Sequence, residues 1–174
     1  MVAKKNTNKT NKLTRKATGF NLSKRSRDKL ARVHPDLKKV VELALTMYTK
    51  EDFAVICGIR TRTEQRRLVQ KGASQTMNSR HLPNGQGFAR AVDLAWWKDG
   101  AISWNTDNLK SFYALDHSAD YKGYQAIGVA MKTAAKELNI PIRWGADWDG
   151  DGQHTDHTLV DWVHFELPKD HGYD

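Results

Sequence analysis

The chain of 174 residues contains a single cysteine, Cys57, so no internal disulfide can form and folding needs no oxidising compartment. Cys57 ends the apolar run Phe53–Cys57 and is expected to be a buried, inert thiol. No apolar run approaches the roughly 18 residues of a membrane-spanning helix. The basic N-terminus lacks the apolar stretch of a secretory signal, so none is expected. Acidic residues are missing before Asp28, whereas nine cations precede it: Lys4, Lys5, Lys9, Lys12, Arg15, Lys16, Lys24, Arg25 and Arg27. The remainder holds 19 basic and 20 acidic residues, so the formal charge of +8 belongs to a tail. A nearly neutral body weighs against nucleic acid as a partner, which would require a basic patch on the fold itself. Internal repeats are absent.

What is present reads as one globular domain. Hydrophobic content is 39% and charged content 28%, within the ordinary range for a folded domain of this size. Residues 1–25 are rich in Lys, Asn and Thr and are read as a basic, disordered tail. Either the tail contacts an anionic envelope or it is a solubilising extension. The folded domain is placed at 26–174. Pro35 suits the first turn of a helix, and Leu37, Val40, Val41, Ala44, Leu45 and Tyr48 follow at helical spacing. Residues 53–57 read as a buried strand. Thr63 is expected to cap a helix that stops at Gly72. Residues 72–90 read as loop, 91–97 as strand, 105–115 and 121–138 as helices, and 142–144 and 163–167 as short strands. The expected architecture is α+β, a small and mainly antiparallel sheet packed by helices.

Within this plan a few polar residues stand in unusual company. Asp93 lies in Ala-Val-Asp-Leu-Ala-Trp-Trp, and an ionised carboxylate in an apolar strand is costly unless a cation pairs with it. An arginine or a metal ion would serve. His81 closes the preceding loop, and His164 opens the final strand. Two histidines and one carboxylate make the three-ligand set of a catalytic zinc site, with a fourth position for water. Asp161, three residues before His164, is then a candidate general base. Scattered histidines are more often surface or satisfied core residues, and spacing alone leaves both readings open.

Four blocks occur in one order: Gly-Ile-Arg-Thr-Arg-Thr-Glu-Gln at 58–65, Ser-Arg-His at 79–81 leading to Ala-Arg-Ala-Val-Asp at 89–93, Arg-Trp-Gly-Ala-Asp-Trp-Asp-Gly-Asp-Gly at 143–152, and Asp-Trp-Val-His-Phe-Glu-Leu at 161–167. In these blocks the chain, from about residue 26 to 168, resembles phage endolysins of the L-alanyl-D-glutamate peptidase type. Their wider group includes D-Ala-D-Ala carboxypeptidases and the hedgehog N-terminal domain. The resemblance implies that fold, zinc on His81, Asp93 and His164, and Asp161 as base. It also implies Arg60 facing the substrate or the developing oxyanion, with Gln65 and Ser79 as further substrate contacts. A salt bridge for Arg60 and a turn cap for Ser79 are the structural alternatives. Eleven residues separate His81 from Asp93, where the family commonly has about six, and the additional segment Leu-Pro-Asn-Gly-Gln-Gly-Phe has loop chemistry.

Asp147, Asp149 and Asp151 alternate ahead of Gly152 like the opening of a calcium loop, although Thr158 stands where a bidentate glutamate would close one. Either calcium orders this loop and so sets Asp161, or the loop is a solvated acidic turn. His154 and His157 lie in the same loop, but His164 is preferred as ligand because its strand can hold it rigidly. Glu166 shares the strand face of His164 and is expected either to support it or to pair with an arginine.

The resemblance implies a monomeric peptidoglycan hydrolase that cleaves the L-alanyl-D-glutamate bond during host lysis, made in the host cytoplasm and acting on the wall after release. Rival readings are a D,D- or L,D-carboxypeptidase of the same fold, a non-catalytic wall-binding module, and a nucleic-acid-binding protein working through its tail.

Overall fold

The computed structural model describes residues 16–103, 119–154, 156 and 158–173. Helix α1 spans Lys24–Leu30, and the Ser23 hydroxyl caps it by accepting from the Ser26 N–H. Helix α2 spans Pro35–Leu43, with proline at its start and His34 as N-cap, and runs into a π-helical turn at Ala44–Tyr48. Strand β1 is Phe53–Cys57, and helix α3 is Arg62–Gln70. The cap of α3 is Thr61 rather than Thr63, because Thr61 and Glu64 form a reciprocal capping box that Thr63 could not.

Strand β2, Ala91–Lys98, turns through Asp99 and Gly100 into the short strand β3, Ala101–Ile102. Both turn residues have positive φ, 52° and 81°, which is the Asp-Gly hairpin signal. The expected helix at 105–115 lies outside the described residues, as do Trp104, His117 and His157. Helix α4 covers Ala119–Leu138, followed by β4 at Arg143–Trp144 and β5 at His164–Glu166.

The strands form one antiparallel sheet ordered β1-β2-β5-β4, with β3 pairing to β2. Strand periodicity divides its faces. Val92, Leu94 and Trp96 of β2, Phe165 of β5 and Trp144 of β4 join the apolar core with α2 and α4. Asp93, His164 and Glu166 occupy the opposite face. Register aligns Asp93 with Cys57 on one side and with His164 on the other. Functional side chains from three strands therefore stand in one row.

The tail boundary expected at residue 25 is too late. Ordered contacts begin at Thr18, whose N–H donates to the Thr46 carbonyl at 2.8 Å and whose hydroxyl donates to that of Leu45 at 2.7 Å. Phe20 and Leu22 pack against the core, which supplies the burial that offsets their ordering entropy. The basic composition masked these two apolar anchors. Cys57 also departs from expectation. It is only half-buried and lies in the functional row rather than in the core.

Helix α4 lies tightly on the sheet. A Cβ at Gly128 would sit 2.4 Å from the Trp144 indole, closer than any real contact. Gly128→Ala is expected to cost about 1–3 kcal/mol through overpacking, even though alanine favours helix. Chemical denaturation should show a lower midpoint at unchanged slope.

Candidate active site

The row of side chains gains its fourth member from the 79–90 loop. The backbone N–H of Arg60 donates to the His81 carbonyl at 2.9 Å, and that of Arg90 to the Arg80 carbonyl at 2.8 Å, so the loop is stitched to the sheet on both sides. The Ser79 hydroxyl accepts from the His81 N–H at 3.3 Å, the turn-capping alternative for that residue. Arg80 is buried, and its guanidinium donates to the Leu167 and Tyr173 carbonyls, clamping the loop to the chain just after β5.

His81 Nε2, His164 Nδ1 and Asp93 Oδ1 converge. His81 Nε2 lies 3.0 Å from the carboxylate oxygen, His164 Nδ1 lies 3.1 Å from it, and the two nitrogens are 3.3 Å apart. Ligands on one tetrahedral zinc ion are about 3.3 Å from each other, given metal–ligand bonds of about 2.0–2.1 Å. The outer nitrogens are also fixed. His81 Nδ1 lies 2.7 Å from the Gly58 carbonyl, which can only accept, so this nitrogen carries hydrogen. His164 Nε2 faces a Glu166 carboxylate oxygen at 3.0 Å and donates to it. In their neutral form both imidazoles would aim a lone pair at the Asp93 carboxylate, so the arrangement calls for positive charge there, either protons on the two inner nitrogens or a cation between them. The donor set fits a divalent ion.

A different trio, Cys57, His81 and Asp93, also lies close enough to offer metal ligands. The Cys57 sulfur, however, is 3.7 Å from His81 Nδ1, the nitrogen already committed to Gly58. The set containing His164 has both imidazoles correctly oriented, and the set containing Cys57 does not.

Electrostatics agree with this geometry. Burial disfavours the charged imidazole, but the Asp93 carboxylate outweighs it and raises His81 to about 10 and His164 to about 9. Burial likewise opposes ionisation of Asp93, yet the two imidazoles hold its carboxyl far below the usual range. Glu166 follows the same pattern. Its burial is overcome by His164 and Arg143, which keep it at about 2. Glu166 thus fills both expected roles, accepting from His164 and pairing with Arg143. Burial pushes the Asp161 carboxyl up, the direction that suits a proton acceptor.

Asp161 and His164 share a floor at Gly145. A Cβ there would lie 2.5 Å from the Asp161 carbonyl and 3.2 Å from the His164 Cβ, so only glycine lets both approach. Together with Arg60, Ser79, Trp148 and Leu159, these residues line a cleft of about 310 Å³. The guanidinium of Arg60 lies 3.6 Å from Asp93 Oδ2 and donates to Gln65 Oε1 at 2.7 Å. The salt-bridge alternative for Arg60 is therefore present within the cleft wall. Gln65 is not a substrate contact in this structure. It is fully buried, and its amide is spent on Arg60, Ser74 and Thr76. Its role is to hold Arg60 against the loop.

The family is decided by comparison of the whole chain. The family model for phage L-alanyl-D-glutamate peptidase matches residues 18–168. The chain belongs to this family. It is 31% identical over 154 residues to the L-alanyl-D-glutamate peptidase of Escherichia phage T5, covering 85% of this chain and 98% of that protein. A Listeria phage A118 protein of the same name is 33% identical over 92 residues, covering 53% of this chain and 25% of the relative. Among solved structures, the Serratia marcescens L-Ala D-Glu endopeptidase ChiX superposes with a TM-score of 0.65 at 34% identity, covering 87% of this chain and 92% of that one. Family membership thus spans the fold, both ends of the site and the ordered contacts that begin at Thr18.

The alternating aspartates come together: Asp147, Asp149 and Asp151 offer oxygens within 4.8 Å of one another. Asp147 is buried and held by Lys132 at 2.5 Å and by the Gly152 N–H at 3.2 Å. His154 makes its contacts elsewhere. Its Nδ1 bonds the Ala146 carbonyl, and its ring packs between Trp144 and Trp162. His34 is no surface histidine either, since it caps α2 and packs against Phe88 and Tyr173. Among the residues that sequence reasoning missed is Arg80, which in the polar stretch Asn-Ser-Arg-His reads like a surface cation until its burial is known.

Three measurements follow from the His81, Asp93 and His164 triangle. Loading one divalent ion at neutral pH should release about two protons, one per imidazole, as read by calorimetry in buffers of different ionisation heat. In the ion-free protein, the raised histidine values stabilise the fold fully below their ordinary 6.5, and this contribution is lost as pH rises through about 9 to 10. Glu166→Gln should weaken ion affinity by about 10–100-fold, because it removes the carboxylate charge that orients the His164 ring and raises its basicity.

Proposed function

We propose that this protein is a zinc peptidase that hydrolyses the amide between L-alanine and D-glutamate in peptidoglycan stem peptides. The observation that carries the reading is the convergence of His81 Nε2, His164 Nδ1 and Asp93 Oδ1 from three separate chain segments, with each outer imidazole nitrogen already bonded. Zinc bound there supplies a Lewis acid that polarises the scissile carbonyl and acidifies a water. Asp161 accepts the proton of the attacking water and returns it to the leaving amine of D-glutamate. Burial suits it to this exchange by raising its affinity for a proton. Arg60, braced by Gln65 and Asp93, directs its remaining N–H groups to a substrate carboxylate or to the charge that develops on the carbonyl oxygen. Ser79 keeps the His81 backbone in place.

A D,D- or L,D-carboxypeptidase would share the same ligands. The family of this chain and the names of its relatives favour the L-alanyl-D-glutamate bond. Fragments of digested murein distinguish the two, since only the proposed cleavage exposes new amino-terminal D-glutamate. In a lytic phage context the enzyme is made in the host cytoplasm and meets the wall after release. No helix among the described residues is long and apolar enough to cross a membrane. The basic residues before Thr18 supply contact with an anionic envelope.

Calcium is the second ion in this reading. The three clustered carboxylates lie in the loop that leads to Asp161, so an ion there would order the approach to the base. At fixed zinc, added calcium should raise turnover, and equal rates with and without it would remove calcium from the account.

Asp161→Asn should retain zinc while turnover falls by about 10²–10⁴-fold, whereas His164→Ala should lose both metal and activity. Metal analysis of each purified variant beside a murein lysis assay reads the two outcomes separately. Near-normal lysis by Asp161→Asn would assign the base elsewhere.

A further inference from the structure

A second cleft, of about 650 Å³, adjoins the site and shares Arg60 and Leu68 with it. Its walls are α1 and α3. Arg25 and Lys29 stand one turn apart on α1, and Arg67 and Lys71 stand one turn apart at the end of α3. Arg60 lies where the two clefts meet. Five cations thus border one space, against two carboxylates, Asp28 and Glu64.

Both carboxylates have partners of their own, although Glu64 also offsets part of the charge of Arg60 and Arg67. Asp28 pairs with Lys24 at 2.8 Å. Glu64 accepts from the Thr61 N–H and hydroxyl, each at 2.7 Å, and so closes the capping box of α3. Lys29 is anchored to the Ile56 carbonyl at 2.7 Å. Arg25, Arg67 and Lys71 have no hydrogen-bonded carboxylate among the described residues. Like charges facing one another across a cleft raise its potential, and an anionic ligand relieves that repulsion.

The proposed substrate has its charge on one side of the scissile bond. L-Alanine, on the acyl side, has a methyl side chain. D-Glutamate, which supplies the leaving amine, keeps at least one free carboxylate whichever of its two carboxyls continues the chain, and the peptide's end adds another. We infer that the α1–α3 cleft binds the carboxylates of the leaving-group half of the substrate, D-glutamate and the residues after it. The inference rests on the cleavage reading given above and adds Arg25, Lys29, Arg67 and Lys71 as specificity determinants.

The test compares wild type with the double variant R67Q/K71Q on two synthetic peptides that differ only in carrying free carboxylates or carboxamides after the scissile bond. Both substituted side chains are exposed, so the fold and metal content should persist. The double variant should raise KM for the carboxylate peptide by about tenfold with kcat unchanged, and leave the carboxamide peptide unaffected. R66Q, also exposed and outside the cleft lining, serves as control and should match wild type. Equal effects on the two peptides, or none on either, would overturn the assignment while leaving the cleavage reading intact if wild type still releases new amino-terminal D-glutamate. Absence of that product from wild-type digests would overturn both. Binding to phosphatidylglycerol vesicles that is lost in the double variant, with peptide KM unchanged, would give the cleft to a phosphate surface and overturn the inference.

Discussion

Cross-strand register is the constraint on which the site depends. Asp93 of β2 stands opposite His164 of β5, and the 79–90 loop brings His81 onto the same carboxylate oxygen. A one-residue slip of either strand would turn its side chains to the other face and dissolve the row. The core enforces the register from beneath, because Val92 and Phe165, next in sequence to Asp93 and His164, are buried in the apolar cluster. Packing on one face thereby fixes chemistry on the other.

Around this row the remaining polar groups have complementary tasks. Gly58 and Glu166 hold the outer nitrogens of the two imidazoles, Arg143 keeps Glu166 ionised, and Arg60 balances the second oxygen of Asp93. Each of these four charged groups has a partner, as burial demands. Mutual support also explains why the two histidines hold protons so tightly without a metal: the site is built to contain positive charge, and protons and a divalent cation compete for it. Gly145 contributes by what it lacks, since any side chain there would part Asp161 from His164.

Much of this was legible in the sequence. Helical spacing located α2, a short apolar run located β1, the readings of 91–97 as strand and 121–138 as helix lie close to β2 and α4, and the isolated carboxylate in Ala-Val-Asp-Leu marked the site because a lone charge in an apolar strand demands an explanation. Ligand pairing was less legible. Nothing in the spacing of His81, Asp93 and His164 shows which ring nitrogen faces inward, as that depends on Gly58 and Glu166. Gln65, which the resemblance gives as a substrate contact, is buried in the fold because the 74–76 segment takes up its amide. The tail boundary lies earlier than composition suggests, because Phe20 and Leu22 pack against the core and Thr18 bonds to the turn at 44–48. Cys57 was read from its apolar neighbours, but the irregularity between Val55 and Cys57 sets its place beside Asp93.

The central claim, that one divalent cation sits among these three atoms, is tested most directly by anomalous diffraction at the zinc edge from crystals of the zinc-loaded protein. The account predicts a single strong peak bonded to His81 Nε2, His164 Nδ1 and a carboxylate oxygen of Asp93, with Cys57 outside bonding distance. A peak bonded to Cys57 and His81 Nδ1, or zinc found only among Asp147, Asp149 and Asp151, would contradict it.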